Sequence, residues 1–273
     1  MTVEPIRVTP SWLELREAAD SSARAPELVG RLCRRIAAEA GWSIHDLACG
    51  SGAMGRWLAP LLPGPQHWVL HDRDADLLAI AATNVPGPAA DGNDVMVETR
   101  VSDVTRLTPD DLAGTTLVTA SALLDLLTWD ELTRLIHACS GAGCPVLFAL
   151  SVTGRVQLLP PDPLDARISA AFNAHQRRRT ARGRLLGPDA VEAAVEGFRR
   201  LGAEVVVRPS PWCLGPAESD LAVEWVTGWI DAACEQEAEL APDAELYRRR
   251  RLREAAAGSL AVTVAHADLL VLP

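Results

Sequence analysis

The sequence contains no lysine; all 26 basic residues are arginine, which beside so much alanine and glycine reflects coding bias rather than function. It has no CxxC pair. Its six cysteines (Cys33, Cys49, Cys139, Cys144, Cys213 and Cys234) are scattered, and no His/Cys cluster has zinc spacing, so no metal centre is expected. Six cysteines would suit three disulfides, but a chain this large does not need such staples. No run of apolar residues is long enough to span a bilayer, so no membrane partner is expected. Met1 to Trp12 lacks an apolar stretch behind positive charges, and the expectation is a soluble cytoplasmic protein. Positive charge is in deficit: the formal net charge is −10, which repels a phosphate backbone and argues against nucleic acid. Internal repeats and low-complexity tracts are also lacking.

What is present is core-forming material. With 48% hydrophobic residues over 273 positions, the chain can fill one α/β domain with insertions. From Ile44 onward short apolar strands alternate with helical stretches. Strands are predicted at Ile44–Ala48, Trp68–His71, Val95–Val101, Thr115–Ala120 and Pro145–Ser151. Thr128-Trp129-Asp130-Glu131 has the hydroxyl and Glu spacing of a capping box and opens a helix that should stop near Gly141. Such alternation implies a parallel sheet with helices on both faces. Residues 1–40 read as an N-terminal helical cap, and residues 41–273 as the main domain. Insertions at about 154–186 and 210–258 would form helical lids, and the last strands are expected at Glu204–Val207 and Leu260–Val264.

The chemistry concentrates where the first strand ends. Gly50-Ser51-Gly52-Ala53-Met54-Gly55 is a G-x-G-x-x-G turn between strand and helix, with Asp72 twenty residues beyond Gly52. That spacing is the dinucleotide fingerprint, so one alternative is an NAD-dependent oxidoreductase. Asp46 opposes it. A carboxylate at the mouth of the strand repels a pyrophosphate, whereas it suits a ligand carrying an ammonium and a sulfonium.

Asp46-Leu47-Ala48-Cys49-Gly50-Ser51-Gly52 resembles motif I of the class I S-adenosylmethionine-dependent methyltransferases, D/E-x-G-x-G-x-G, with Ala48 replacing the first glycine. The resemblance continues in order. Asp72, ending the second strand, matches the acid that binds the ribose hydroxyls. Asp103 and Val104, after the third strand, match the adenine-binding segment, and Ser121, after the fourth, matches the floor under the methyl group. The resemblance covers about Gly41 to Ser151. It implies a seven-stranded, mostly parallel Rossmann-like sheet of order 3-2-1-4-5-7-6. It also implies S-adenosylmethionine as cofactor, S-adenosylhomocysteine as product, and cofactor contacts at Asp46, Ala48, Gly50, Gly52, Asp72, Asp103, Val104 and Ser121. Caps in this family often supply a cation to the methionine carboxylate; Arg16 and Arg24 are available, and Arg16 is favoured.

The acceptor is less legible. After the fourth strand there is no Asn/Asp-Pro-Pro-Tyr/Phe tetrad, which argues against planar amide or base nitrogens; an O- or N-methylated small molecule is expected. Asp125 just after the fourth strand and His175 in the first insertion are candidate catalytic groups, and Arg178, Trp212 and His266 candidate acceptor contacts. Each has a plain structural alternative: a turn or helix cap for Asp125, a solvated arginine-rich face for His175 and Arg178, core packing for Trp212 and His266. A module that binds the cofactor without catalysis is the third alternative.

Overall fold

The computed structural model describes residues 8–35 and 41–273. Among the described residues two helices precede the sheet: α1 (Pro10–Ala23) and α2 (Pro26–Cys33). Thr9 caps α1 by accepting the Trp12 amide, and proline opens both helices, where its missing N–H costs nothing. The alternation then runs β1 (Trp42–Leu47), α3 (Ala53–Leu58), β2 (Gln66–Asp72), α4 (Ala75–Thr83), β3 (Val95–Val101), β4 (Leu117–Ser121) and α5 (Trp129–Ala142). Thr128 and Glu131 close the expected capping box. The helix ends two residues past the start of its Ser140-Gly141 tail, at a left-handed Gly143 rather than at Gly141.

The second half departs further from expectation. Strand β5 runs over Val146–Leu159, twice its predicted length, before α6 (Asp165–Gln176) and a small ribbon of β6 (Arg179–Thr180) and β7 (Gly183–Arg184). There follow α7 (Ala190–Arg200), β8 (Glu204–Pro209), β9 (Trp212–Leu214), α8 (Ser219–Gln236), α9 (Ala241–Ala256) and β10 (Ala261–Leu272). Among the described residues the main sheet has eight strands rather than seven. They lie in the path β3-β2-β1-β4-β5-β10-β8, with β9 paired to the outer part of β10. The strands β1 to β5 are mutually parallel, and β10 is antiparallel to both neighbours.

Alternate residues along the strands separate two cores. Val118, Phe148 and Leu269 pack beneath α5 and α7; Ile44, Trp68, Leu147 and Leu270 pack beneath α2, α3 and α4. The overhanging ends of β5 and β10 carry a third core with α6, α8 and α9, centred on Trp229, Tyr247 and Val262. Sequence reading shortened β5 because Gly154, at positive φ, and the Thr153–Gln157 stretch break its apolar run. It cut β10 at Val264 because His266 and Asp268 interrupt the apolar run, although both are buried; the two slips in the ladder put their extra residues on β5. The carboxyl ends of β1, β2 and β4 thus meet under α1, at the crevice where the strand order reverses.

Candidate functional site

Asp46, in β1, is fully buried and sits opposite Thr119 of β4, whose hydroxyl donates to Oδ1 at 2.7 Å. Its other oxygen, Oδ2, has no partner among the described residues. Burial pushes this carboxyl up to about 7, against the Thr119 hydrogen bond and the positive charge of Arg24.

The turn beyond it is shaped by positive φ. Gly50 (φ 56°) and Gly52 (φ 85°) occupy the left-handed region, and a Cβ on Gly50 would lie 3.2 Å from the Leu13 side chain of α1. Ala48, in the place of the motif's first glycine, is also left-handed, at φ 53°. A side chain there carries strain that glycine would not. Asp72 fastens the turn from β2: Oδ2 accepts the Gly50 amide at 2.9 Å and Oδ1 the Asp74 amide at 2.9 Å.

The opposite wall comes from the cap. Arg24, the residue closing α1, is 3% exposed and reaches across to Ser121, with Nη2 donating to Oγ at 3.2 Å. Its Nε and Nη1 are buried with no acceptor among the described residues, and its guanidinium lies 5.3 Å from the centre of the Trp57 ring. Burial lowers its pKa, while Asp20, Asp268 and Asp46 favour its charge. Arg16 lines the same cavity but is occupied. Its Nε and Nη2 donate to Asp20 at 2.9 and 3.1 Å, and its guanidinium stacks 4.9 Å from the Trp212 ring. Arg56 ties the cap down, donating to Glu17 at 2.7 and 2.6 Å and to the Ser51 carbonyl at 2.6 Å.

One cavity therefore gathers Arg16, Asp20, Arg24, Asp46, Ala48, Gly50 and Ser121. Gly52 and Asp72 shape the turn without lining it. Asp103 is exposed at the end of the turn after β3; burial raises its carboxyl, but the Thr105 hydroxyl and amide and the Arg106 charge outweigh this and hold it low. Val104 beside it is buried.

The candidates on the acceptor side separate. Asp125 is half-buried in the turn after β4. Burial pushes it up to about 6, and both Arg16 and Arg178 act on its charge. His175 does not line the cavity: its Nε2 meets Glu235 of α8 at 3.1 Å, and burial with the Arg178 charge lowers its pKa. Arg178 donates to the His175 carbonyl at 3.1 Å. Trp212 is buried, and its indole N–H donates to Asp20 at 3.0 Å, so it anchors α1. His266 packs 5.3 Å from the Trp212 ring, and burial lowers it to about 4. Among the described residues no group of three His, Cys, Asp or Glu side chains is placed to hold a metal.

Sequence reading passed over Asp20, Thr119 and Arg56, and ranked Arg24 below Arg16. Thr119 was findable, since parallel pairing of β1 with β4 puts it beside Asp46. The choice between the two arginines was not, because Asp20 stands four residues from each, and only the distant Trp212, which holds Asp20 and lies against the Arg16 guanidinium, separates them.

No family model matches the chain, and no curated protein matches it. Solved structures do. An S-adenosylmethionine-dependent methyltransferase from Thiobacillus denitrificans in complex with S-adenosyl-L-homocysteine is 15% identical, with 96% of this chain and 99% of that one covered and a TM-score of 0.43. A cyclopropane synthase from Mycobacterium tuberculosis is 12% identical over 90% and 82% of the two chains, with a TM-score of 0.46. A putative sarcosine dimethylglycine methyltransferase from Galdieria sulphuraria is 9% identical over 96% of each, with a TM-score of 0.47. Likenesses at this level carry no argument about activity, which rests on the site itself.

Ala→Gly substitutions ordinarily cost about 0.5–1 kcal/mol. At residue 48 relief of the left-handed strain opposes that cost, so Ala48→Gly is expected to leave stability unchanged or raise it by up to ~1 kcal/mol in urea unfolding.

Proposed function

We propose that the protein transfers a methyl group from S-adenosylmethionine to a small-molecule acceptor. One observation carries this: a buried acid and a buried guanidinium, each with unpartnered polar atoms, line the same cavity beside the glycine turn. Leaving such groups unpaired costs about 1–3 kcal/mol each, more when charged, so they are built for a ligand of matching chemistry. A pyrophosphate offers negative charge alone. The amino-acid arm of S-adenosylmethionine offers a carboxylate for Arg24 and an ammonium for Asp46, and its sulfonium adds a second cation on the acid's side. Arg24 therefore takes the role first given to Arg16, whose hydrogen bonds already go to Asp20.

In this reading Asp72 holds the turn that cradles the cofactor and meets the ribose hydroxyls, and Ser121 lies under the methyl group. The sulfonium is itself a strong electrophile, so the chain's task is in-line orientation of the acceptor and exclusion of water. Where the acceptor is a hydroxyl or an ammonium, its proton must leave. Neither Asp125 nor His175 lines the cavity; Asp125 is preferred because it follows β4 only three residues after the cavity-lining Ala122, whereas His175 is engaged with Glu235. The acidic surface and the missing tetrad favour a small O- or N-acceptor over nucleic acid.

Calorimetry is expected to show S-adenosylhomocysteine binding that Arg24→Gln weakens by about 10- to 100-fold, the worth of a charge-assisted hydrogen bond. NADH fluorescence is expected not to change on titration; saturable NADH binding together with silence toward S-adenosylhomocysteine would favour the oxidoreductase. Activity on an acceptor found by screening phenols, amines and carboxylates is expected to rise with pH through about 6, as Asp125 ionises. In Asp125→Asn that limb is expected to vanish and kcat to fall by about 100-fold. Silence across the whole panel would favour the binding module.

A further inference from the structure

Arg24 matters only if it is held in place, and what holds it lies at the far end of the sequence. It sits where α1 stops; its own amide still donates to the Asp20 carbonyl at 3.1 Å, and its side chain turns inward to Ser121. Ala25, the next residue, is extended (φ −86°, ψ 95°), cannot continue α1 and has no side-chain cap. Its amide is buried and must find an acceptor. That acceptor is Asp268 of β10, whose Oδ2 lies 2.8 Å away. Oδ1 of the same carboxylate accepts the amide of Leu150, at 2.8 Å, where β5 passes through a left-handed φ of 55°.

Asp268 is an acid in an otherwise apolar strand end, and it is 1% exposed. Its direction follows the unbroken alternation of β10, which puts Asp268 on the same face as Leu270 and Leu272, the face that packs with Ala25. The bulge lies opposite it on β5: two residues there stand against Asp268 alone, and one of them is the left-handed Leu150 whose amide Asp268 accepts. The carboxylate thus reaches the junction of α1 and α2, close enough to Arg24 for each charge to act on the other. The methyl-transfer chemistry makes no use of this acid.

We infer that Asp268 is a positioning residue for cofactor binding: by accepting the Ala25 amide it fixes the end of α1 and so aims the Arg24 guanidinium at the carboxylate of the cofactor's amino-acid arm. The inference rests on the methyltransferase proposal above, in which Arg24 grips that arm. Asparagine at 268 would accept from one amide and present an N–H to the other, and it would remove a negative charge near Arg24. Proline at 25 would delete the donor while leaving Asp268 and the sheet intact. Its ring tolerates a φ near −86°, and Arg24 already has the extended ψ (146°) that a following proline requires.

The test compares two ligands that differ only in the arm: S-adenosylhomocysteine, and methylthioadenosine, which keeps the nucleoside and sulfur but lacks the amino acid. Calorimetry on wild type, Asp268→Asn and Ala25→Pro is the readout. Wild type is expected to prefer S-adenosylhomocysteine by at least about tenfold. Both variants are expected to lose about tenfold of their affinity for it while holding methylthioadenosine within about twofold. Equal losses for both ligands would make Asp268 a structural pin alone, and no loss for either would make it irrelevant to binding; each overturns the inference and leaves the cofactor proposal standing. A wild type that binds neither ligand, or binds both alike, overturns the reading of Arg24 itself. Should Asp268→Asn fail to fold, Ala25→Pro decides between the same outcomes.

Discussion

Everything at the candidate site turns on a buried guanidinium facing a buried carboxyl across a cavity. Arg24 and Asp46 are both almost wholly removed from water, yet Nε and Nη1 of the one and Oδ2 of the other have no partner. Were they bonded to each other, the pair would be an internal salt bridge whose desolvation roughly offsets its attraction. Held apart, they form a receptor for a group bearing both signs. Burial presses in the same direction on both, lowering the pKa of Arg24 and raising that of Asp46 to about 7. Because Asp46 titrates higher folded than unfolded, its contribution to stability falls as pH rises from about 4 to about 7 without a ligand. A cation beside it would reverse that penalty.

The rest of the structure serves to bring these two groups together. Thr119 orients Asp46, Asp72 shapes the glycine turn, and Arg56 binds the cap to that turn through Glu17. Trp212 holds Asp20, which in turn holds Arg16, so aromatic and charged groups lock α1 against β9. Asp268 closes the set from the last strand. The helix α1, the glycine turn and β9 meet at one end of the sheet, beside the reversal of strand order at β1 and β4.

Much of this was legible in the chain. The first five strands, the capped helix after Thr128 and the cluster from Asp46 to Gly52 follow from apolar periodicity, turn residues and glycine spacing, all local signals. What escaped depends on contacts between distant segments. The long arm of β5 was hidden by two bulges and a left-handed Gly154, and that of β10 by the polar His266 and Asp268 in its run. The roles of Arg16 and Arg24 could not be divided from sequence, because Asp20 stands four residues from each and only the distant Trp212 tells them apart. His175 looked chemically rich beside its arginines, yet its ring on α6 meets Glu235 of α8. Asp268, an acid within an apolar run, was a signal in plain view whose meaning needed its two distant partners, the Ala25 and Leu150 amides.

The most direct test of the account is a crystal structure of the protein with S-adenosylhomocysteine bound. The account predicts the ligand's carboxylate within hydrogen-bonding distance of Arg24 Nε or Nη1, with its ammonium on the Asp46 side of the same cavity. An amino-acid arm directed elsewhere, with Arg24 and Asp46 still unpartnered, would contradict it.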